Sequence, residues 1–248
     1  RHDDIAPAVD HGLSLIEQEA DILDIGGEST RPGSEPVPPA EQIRRTIPAI
    51  EQLADRCDSA ISIDTRSAEV ARAALDAGAH IVNDVSALRD DETLAALVAD
   101  RTAGLVLMHM QGTPRTMQQN PRYDDVVAEV GAFLADRATA AVEAGVAREC
   151  VVIDPGIGFG KTLEHNLALM ANLWRLSQIA LDLPLLVGPS RKRFIGDILD
   201  RPSDQRIAGT IGAALACMAG GARILRVHDV GPVVDALAIA WKISQAAQ

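Results

Sequence analysis

The stretch AISIDTRSAEVARAALDAGAHIV, residues 60–82, decides the fold class. At its two ends, Ala60–Asp64 and His80–Val82 are short apolar runs with β-branched residues, which are typical of buried strands. Between them, Glu69–Ala77 has the composition of a helix, and Gly78 stands just past it, where a left-handed cap is expected. A strand, a helix and a second strand in this order predict a parallel α/β unit.

The same alternation continues along the chain without a break in composition. The other predicted strands are also fully apolar, as expected for parallel strands that are covered on both faces. They are Asp21–Ile25, Leu105–Met108, Val151–Asp154, Leu185–Gly188 and Arg223–Val227. Further predicted helices include Asp3–Glu19, Ala40–Leu53, Asp124–Ala144, Leu163–Leu181 and Val230–Gln245.

The pattern contains eight helices but only seven strands, whereas a (β/α)8 barrel begins with a strand. Because the chain opens on a helix, we expect an α/β fold, a (β/α)8 TIM barrel whose first strand and first loop are absent from this chain. Residues 1–248 are expected to form one domain, since α/β barrels commonly reach this length. An open doubly wound sheet is the alternative, but no G-x-G-x-x-G fingerprint follows any predicted strand.

Charge and composition exclude several classes of protein. A formal net charge of −12 disfavours binding to nucleic acid and docking on an anionic membrane, because both need a basic surface. The longest uncharged stretch, Ile207–Ala222, is too short to span a bilayer comfortably. Three widely spaced cysteines without a C-x-x-C pair, Cys57, Cys150 and Cys217, predict reduced thiols in a cytosolic protein.

Nearly every predicted strand ends in a residue that can bind a polar ligand. In chain order these residues are Asp24, Asp64, Asn83, His109, Asp154, Ser190–Lys192, Arg226 and His228. A single carboxylate at a strand end is about as often a helix cap as a ligand, but a whole set converging on one rim is hard to explain as caps. Since chemistry in a barrel gathers at the carboxyl ends of the strands, we expect the active site there.

Two apparent motifs do not carry function. Gly156–Thr162, GIGFGKT, resembles a phosphate-binding loop, but the required spacing places a glycine where Pro155 stands. His11, His80 and His165 lack the spacing of zinc ligands, so we expect them to be helix, strand-start and cap residues respectively.

Seven segments together resemble the dihydropteroate synthase family. In order they are DIGGESTRPG (24–33), SIDT (62–65), VND (82–84), LMHMQGTPRTMQ (107–118), DPGIGFGKT (154–162), GPSRK (188–192) and RVHDV (226–230). The resemblance covers essentially the whole chain. It implies a (β/α)8 barrel that joins 6-hydroxymethyl-7,8-dihydropterin pyrophosphate to p-aminobenzoate, giving 7,8-dihydropteroate and pyrophosphate in folate synthesis.

The resemblance also implies which residues bind the pterin. Asp154 would accept two parallel N–H donors from the 2-aminopyrimidine edge, and Asn83 would complete the mixed donor–acceptor pattern. Asp64 would favour positive charge growing on the ring, and Lys192 would donate to the carbonyl side. By the same resemblance Asp84 and Met108 would bind substrate, and Met108 would form an apolar floor under the pterin.

The resemblance further implies that pyrophosphate and p-aminobenzoate bind beside the pterin. Arg226 and His228 would bind pyrophosphate at the last strand, and magnesium would neutralise its developing charge. The metal-binding Asn of the family belongs to a segment that this chain lacks, so the sequence leaves the Mg²⁺ ligands unknown. The implied p-aminobenzoate pocket consists of Thr30, Arg31, Pro32, Phe159 and Ser190.

Some questions stay open at this stage. His109 is undecided between packing and ligand contact, and Pro189 departs from the family pattern. The resemblance implies a cytoplasmic homodimer. Two alternatives for the activity remain, a folate-dependent methyltransferase of the pterin-binding family and a catalytically inactive pterin-binding homologue.

Overall fold

The computed structural model of the protein describes residues 5–31 and 33–246. Within these ranges, seven parallel strands alternate with ten α-helices and two short 3-10 helices. The strands are β1 Ile22–Gly26, β2 Ala60–Asp64, β3 Ile81–Asp84, β4 Gly104–Met108, β5 Val151–Asp154, β6 Leu186–Val187 and β7 Ile224–Leu225. The helices are α1 Ile5–Glu17, α2 Pro39–Ala54, α3 Ala68–Asp76, α4 Leu94–Asp100, α5 Val126–Glu143, α6 Leu163–Ala171, α7 Leu173–Ile179, α8 Arg193–Leu199, α9 Ile207–Ala219 and α10 Val230–Gln245.

The seven strands surround a common interior. Strands β1 to β5 form one parallel sheet in chain order, β6 pairs with β7, and a single bridge between Ile153 and Leu185 joins the two sheets. Residues from all seven strands, from Ile22 on β1 to Leu225 on β7, line one interior cavity. In the described part of the chain β7 and β1 share no ladder, so the hydrogen-bonded ring is open at that seam.

The strands form because they are buried on both faces. Ile61, Ile63, Leu105, Leu107 and Ile153 are all fully or almost fully buried in one hydrophobic core that the surrounding helices share. Near-continuous burial along a strand is the signature of a parallel sheet with helices on its outer face. All seven predicted strands are confirmed, with β6 and β7 shorter than the runs predicted from the sequence.

Helix ends follow local chemistry. The Asp125 carboxylate accepts hydrogen bonds from the Val127 and Ala128 amides at the start of α5, which is a regular N-cap. Gly78 adopts the left-handed conformation predicted for it after α3, with a φ of +108°. No helix among residues 5–31 and 33–246 combines the length and the apolarity needed to cross a membrane.

The predicted helix Leu163–Leu181 is wrong as a single element, because it divides at Asn172 into α6 and α7. Asn172 leaves the helical region at φ −126° and ψ 31°, and its side-chain amide donates to the Ala168 carbonyl at 2.8 Å. A short polar side chain that bonds its own backbone competes with helix continuation. At the other end of α6, His165 forms a capping box with Thr162, as predicted for a cap residue.

Candidate active site

One cleft lies at the carboxyl ends of the strands. The strand pairing sets Asp64 beside Asn83 and Met108 beside Asp154, because the carboxyl ends of parallel neighbours meet at the same edge. The cleft brings together ten of the thirteen residues that the sequence analysis selected: Thr30, Asp64, Asn83, Met108, Asp154, Phe159, Ser190, Lys192, Arg226 and His228.

The floor of the cleft consists of Asp154 and Asn83, which are buried, and of Asp64, which is partly exposed. Burial raises the pKa of Asp64 to about 7, and the nearby charge of Asp24 adds to the effect. Burial also raises the pKa of Asp154, although the Gly156 amide donates to its Oδ1 at 2.7 Å. A carboxylate that is desolvated in this way gains most from a ligand that presents donors or positive charge.

Arg226 bridges the last strand to the first through Asp24. Its Nε lies 2.6 Å from Asp24 Oδ2, and a second guanidinium nitrogen lies 3.7 Å from Asp64 Oδ2. Asp24 Oδ2 also accepts from the Asn83 side-chain amide at 3.2 Å. Asp24 thus joins Arg226 to Asn83, whereas the sequence analysis placed it at a strand end without a role. In the sequence, the only indication of such a role is that Asp24 lies at the end of a strand, just before Ile25 and two glycines.

Arg226 does not pair with Asp229, the acidic residue that is near it in the sequence. Arg226 pairs with Asp24, whereas Asp229 pairs with Arg191, whose guanidinium donates to it twice, at 2.9 and 2.5 Å. The Arg226 guanidinium therefore lies beside the carboxylates of Asp24 and Asp64, where it neutralises part of their charge.

Ser190 and His228 form a hydrogen-bonded pair across the cleft. The His228 backbone amide donates to Ser190 Oγ at 3.1 Å, and the same oxygen lies 2.9 Å from His228 Nδ1. Burial lowers the pKa of His228, as do the charges of Arg191 and Arg226, so the ring is neutral near pH 7. Since Ser190 Oγ already accepts from the backbone, its hydroxyl proton suits Nδ1, which leaves the ring proton on Nε2.

The remaining wall of the cleft is apolar. Met108 packs with Val85, Met110 and Met117 in a small cluster separate from the main core, and Phe159 lies against that cluster. The Lys192 ammonium lies 4.2 Å from the centre of the Phe159 ring, a cation–π distance. Burial lowers the pKa of Lys192 to about 8.

Three residues selected from the sequence lie elsewhere. Both carboxylate oxygens of Asp84 are used inside its own loop, by the amide and hydroxyl of Ser86 and by the Leu88 amide, and the residue is fully buried. Asp84 therefore supports the loop after β3 instead of lining the cleft. Arg31 is exposed outside the cleft, although its charge is close enough to lower the pKa of Lys192 further. Pro32 lies outside the described residues.

His109 is neutral and held by a lysine. Lys161 Nζ lies 3.0 Å from His109 Nδ1, and burial is the main cause that lowers the pKa of His109 to about 2. His109 also packs edge-on against Phe133, with 4.9 Å between the ring centres. The imidazole thus serves as a buried acceptor. The sequence analysis gave Lys161 no role, although the residue lies in the failed phosphate-loop motif and in the segment 154–162 of the resemblance.

The loop after β5 runs in very close contact with the loop after β4. Gly156 has a φ of +67°, and a Cβ built on it would lie 2.0 Å from the His109 carbonyl oxygen. No larger residue fits there, so this glycine brings the Phe159 loop against the end of β4.

Comparison with known proteins gives a consistent result. The pterin binding enzyme family matches residues 1–228. Dihydropteroate synthase of Escherichia coli is 42% identical over 238 residues, which are 96% of this chain and 83% of that protein.

Solved structures agree with the sequence matches. A Xanthomonas albilineans dihydropteroate synthase in complex with 7,8-dihydropteroate is 46% identical, has a TM-score of 0.88, and is aligned over 98% of this chain and 88% of its own. The Yersinia pestis enzyme in a sulfonamide drug complex is 39% identical with a TM-score of 0.94, aligned over 98% of this chain and 88% of its own.

Proposed function

The chain belongs to the pterin binding enzyme family, and within it to the dihydropteroate synthases, and we propose that its cleft condenses 6-hydroxymethyl-7,8-dihydropterin pyrophosphate with p-aminobenzoate. The products are 7,8-dihydropteroate and pyrophosphate, in folate biosynthesis, so the protein is a transferase. The observation that carries the proposal is the pairing of a buried acceptor floor, Asp154 and Asn83, with the cationic groups of Lys192 and Arg226 in one cleft.

The floor suits the pterin ring. Asp154 Oδ1 accepts from the Gly156 amide, and its Oδ2 accepts no hydrogen bond from residues 5–31 or 33–246, so the carboxylate has capacity for the N–H groups of a 2-aminopyrimidine edge. Met108 supplies an apolar surface for the flat ring, and Asn83, held by Asp24, supplies both a donor and an acceptor. Asp64 is placed to stabilise positive charge that develops on the ring as the leaving group departs.

The cationic side of the cleft suits the leaving group. The carbon–oxygen bond to pyrophosphate breaks with its electron pair on oxygen, and Arg226 and the Nε2–H of His228 bind the departing oxygens. The pterin methylene carbon is then captured by the lone pair of the arylamine, which loses a proton to water. The arylamine is uncharged near neutral pH, so no general base is required and the protein contributes electrostatics and positioning.

The amine pocket is built by Phe159, Thr30 and Ser190 beside the pterin. Phe159 gives an aromatic wall, and Lys192 above its ring carries a positive charge near the same place. Arg31 follows Thr30 on the β1–α2 loop, and we assign it to the outer edge of this pocket. Pro32 remains a proposed p-aminobenzoate contact on the resemblance alone.

Magnesium is the proposed cofactor. No group of three or more Asp, Glu, His or Cys among the described residues could hold a metal by itself, but Asp24 Oδ1 is buried without a hydrogen-bond partner beside Asp64. Mg²⁺ is usually bound through one or two carboxylates together with substrate phosphate oxygens, and these two residues fit that requirement. When bound, the ion would neutralise charge on the pyrophosphate.

We also propose a single-domain protein that forms a homodimer in the cytoplasm. One core runs from Val9 to Ala222, which supports one domain, and the three cysteines are unpaired, which supports a reducing compartment. Exposed Ile239, Trp241 and Ile243 on α10 support a subunit contact, because large apolar side chains are seldom clustered on a free surface.

Pyrophosphate release tests the proposal. The protein is supplied with magnesium and the pterin pyrophosphate, with and without p-aminobenzoate, and both pyrophosphate and dihydropteroate are measured. Release that depends on the amine and matches product formation supports the synthase. Tight pterin binding without turnover would favour an inactive homologue, and methyl transfer from a methylated folate would favour the methyltransferase.

A further inference from the structure

Lys161 is a buried charged residue that the proposed chemistry does not use. The chain has only three lysines: Lys161 is buried at 4% exposure, Lys192 lines the cleft and Lys242 is exposed on α10. Burying an ammonium costs free energy unless hydrogen bonds and charges compensate for it. The contacts that compensate here show what the side chain does.

The ammonium has three donors, and three acceptors surround it. Lys161 Nζ lies 2.9 Å from the Phe159 carbonyl oxygen, 3.0 Å from His109 Nδ1 and 3.4 Å from the His109 carbonyl oxygen. Burial lowers the pKa of Lys161 to about 7, while the negative charge of Asp154 opposes that shift. One side chain therefore connects the end of β4 to the loop after β5.

That loop is held by side chains from other elements. At Gly158, the carbonyl accepts from the Gln118 side chain at 2.8 Å and the amide donates to the Asn166 side chain at 2.7 Å. At Gly160, the carbonyl accepts from the Tyr123 hydroxyl at 2.9 Å. At Phe159 itself, the amide donates to the Gly156 carbonyl within the loop, and Lys161 donates to the Phe159 carbonyl. The Phe159 ring lies against the methionine cluster and 4.2 Å from the Lys192 ammonium. A displacement of the Phe159 carbonyl therefore moves the ring that faces the cleft.

We propose that Lys161 is a positioning residue that fixes the Phe159 ring, and through it the p-aminobenzoate ring and the Lys192 ammonium. The inference rests on the proposed function, because it takes Phe159 as a wall of the amine pocket. Lys161 itself does not touch the reacting atoms. Removal of its ammonium should therefore weaken the binding of p-aminobenzoate more than the binding of the pterin.

A double-mutant cycle tests the inference through Phe159. Lys161→Met keeps an unbranched side chain as far as Cε but removes the ammonium and its donors. We expect KM for p-aminobenzoate to rise about tenfold, with pterin affinity changed about twofold or less. In a Phe159→Ala background, Lys161→Met should raise KM for p-aminobenzoate by a further factor of about two or less, because the ring that Lys161 positions is already absent. Lys242→Met is the matched loss of an exposed lysine and should leave both constants unchanged.

A merely structural role gives a different pattern. If Lys161→Met lowers stability but leaves KM unchanged, or raises KM equally in both backgrounds, the positioning role is overturned. Tyr123→Phe removes a hydrogen bond to a neighbouring carbonyl of the same loop and should raise KM less than Lys161→Met does; an equal rise would also contradict the assignment. Absence of turnover in the unsubstituted protein would count against the proposed function instead.

A second measurement needs no variant at position 161. With three lysines in the chain, ¹⁵N-lysine labelling gives three side-chain signals, and Lys192→Arg and Lys242→Arg identify two of them. Adding p-aminobenzoate to the pterin-loaded protein should shift the Lys161 signal and leave Lys242 in place. An unmoved Lys161 signal under saturating amine overturns the proposal, even if Lys161→Met does not fold.

Discussion

The floor of the cleft and its outer edge are built in different ways. The floor residues lie at the carboxyl ends of strands: Asp64 and Asp154 are the last residues of theirs, and Asn83 is the last but one of β3. The ladder hydrogen bonds therefore fix their backbones, and the register fixes their neighbours. The outer edge lies on the β1–α2 loop, where Arg31 is exposed and the backbone is held mostly by its own turn and by Glu28. Groups on strands keep their geometry without a ligand, whereas groups on a loop depend more on what binds.

The largest effect should come from the floor. Asp154→Asn keeps an oxygen for the Gly156 amide but offers an NH₂ group where the pterin presents donors, and we expect kcat/KM to fall about 100-fold or more. Steady-state kinetics and pterin titration measure the change. A loss below about tenfold would mean that the floor does not recognise the pterin edge.

Asp84→Asn is the matched control for that substitution. Both carboxylates are buried and each ends a strand of the same sheet, with β4 between the two strands, but Asp84 accepts only from its own loop. We expect the free energy of unfolding to fall by about 1–3 kcal/mol, because an amide leaves one of the loop N–H donors unpaired, with KM for the pterin unchanged. A rise in KM equal to that of Asp154→Asn would contradict the separation of the two roles.

The pH dependence should reveal the second floor carboxylate. Asp64 has a raised pKa of about 7, so it gains a proton as the pH falls through this value and loses the negative charge that stabilises the pterin cation. We expect kcat/KM to fall about tenfold per pH unit below about 7. In Asp64→Asn the residual kcat/KM should no longer fall below about pH 7, so the acid limb of the pH profile should be absent. An unchanged limb in the variant would assign it to another group, for example His228.

The smallest effect should come from the outer edge. Arg31→Ala removes an exposed side chain that contributes charge near Lys192, and we expect about a fivefold loss in kcat/KM with the melting temperature unchanged. Activity and thermal unfolding are measured on the same preparation. Unchanged turnover would exclude a role for Arg31, and a loss as large as that of Asp154→Asn would show that the loop is as organised as the floor.

Much of the fold was predictable because the elements are encoded locally. Apolar runs bounded by turn residues predicted all seven strands, and Gly78 and Thr162–His165 carried their own end signals. The division at Asn172 was not predicted, since its cause is a side chain bonding the carbonyl four residues earlier, which a hydrophobic pattern does not contain. The short extent of β6 and β7 was also missed, because strand length depends on the neighbour that pairs with it.

The site was predictable to the extent that it lies on strand ends. Strand-end residues such as Asp154 and Arg226 reached the cleft because parallel strands deliver their carboxyl ends to one rim. Asp84 also ends a strand, yet its carboxylate turns into its own loop, which only the three-dimensional path of residues 84–88 decides. The pairing of Arg226 with Asp24 joins residues far apart in sequence, so no local pattern could distinguish it from a pair with Asp229.

The sequence by itself determined the class of fold, the order of its strands and the rim on which the chemistry gathers, because periodicity and strand ends are properties of neighbouring residues. The tertiary structure alone decided which charges face each other and how strongly they are desolvated. In the folded chain the pKa of Asp64 is raised and Arg226 donates a hydrogen bond to Asp24. Lys161, which the sequence shows only as part of a motif, donates from a buried position to the Phe159 carbonyl. Burial and the distance between charges belong to the folded chain, and they set the electrostatics of the site.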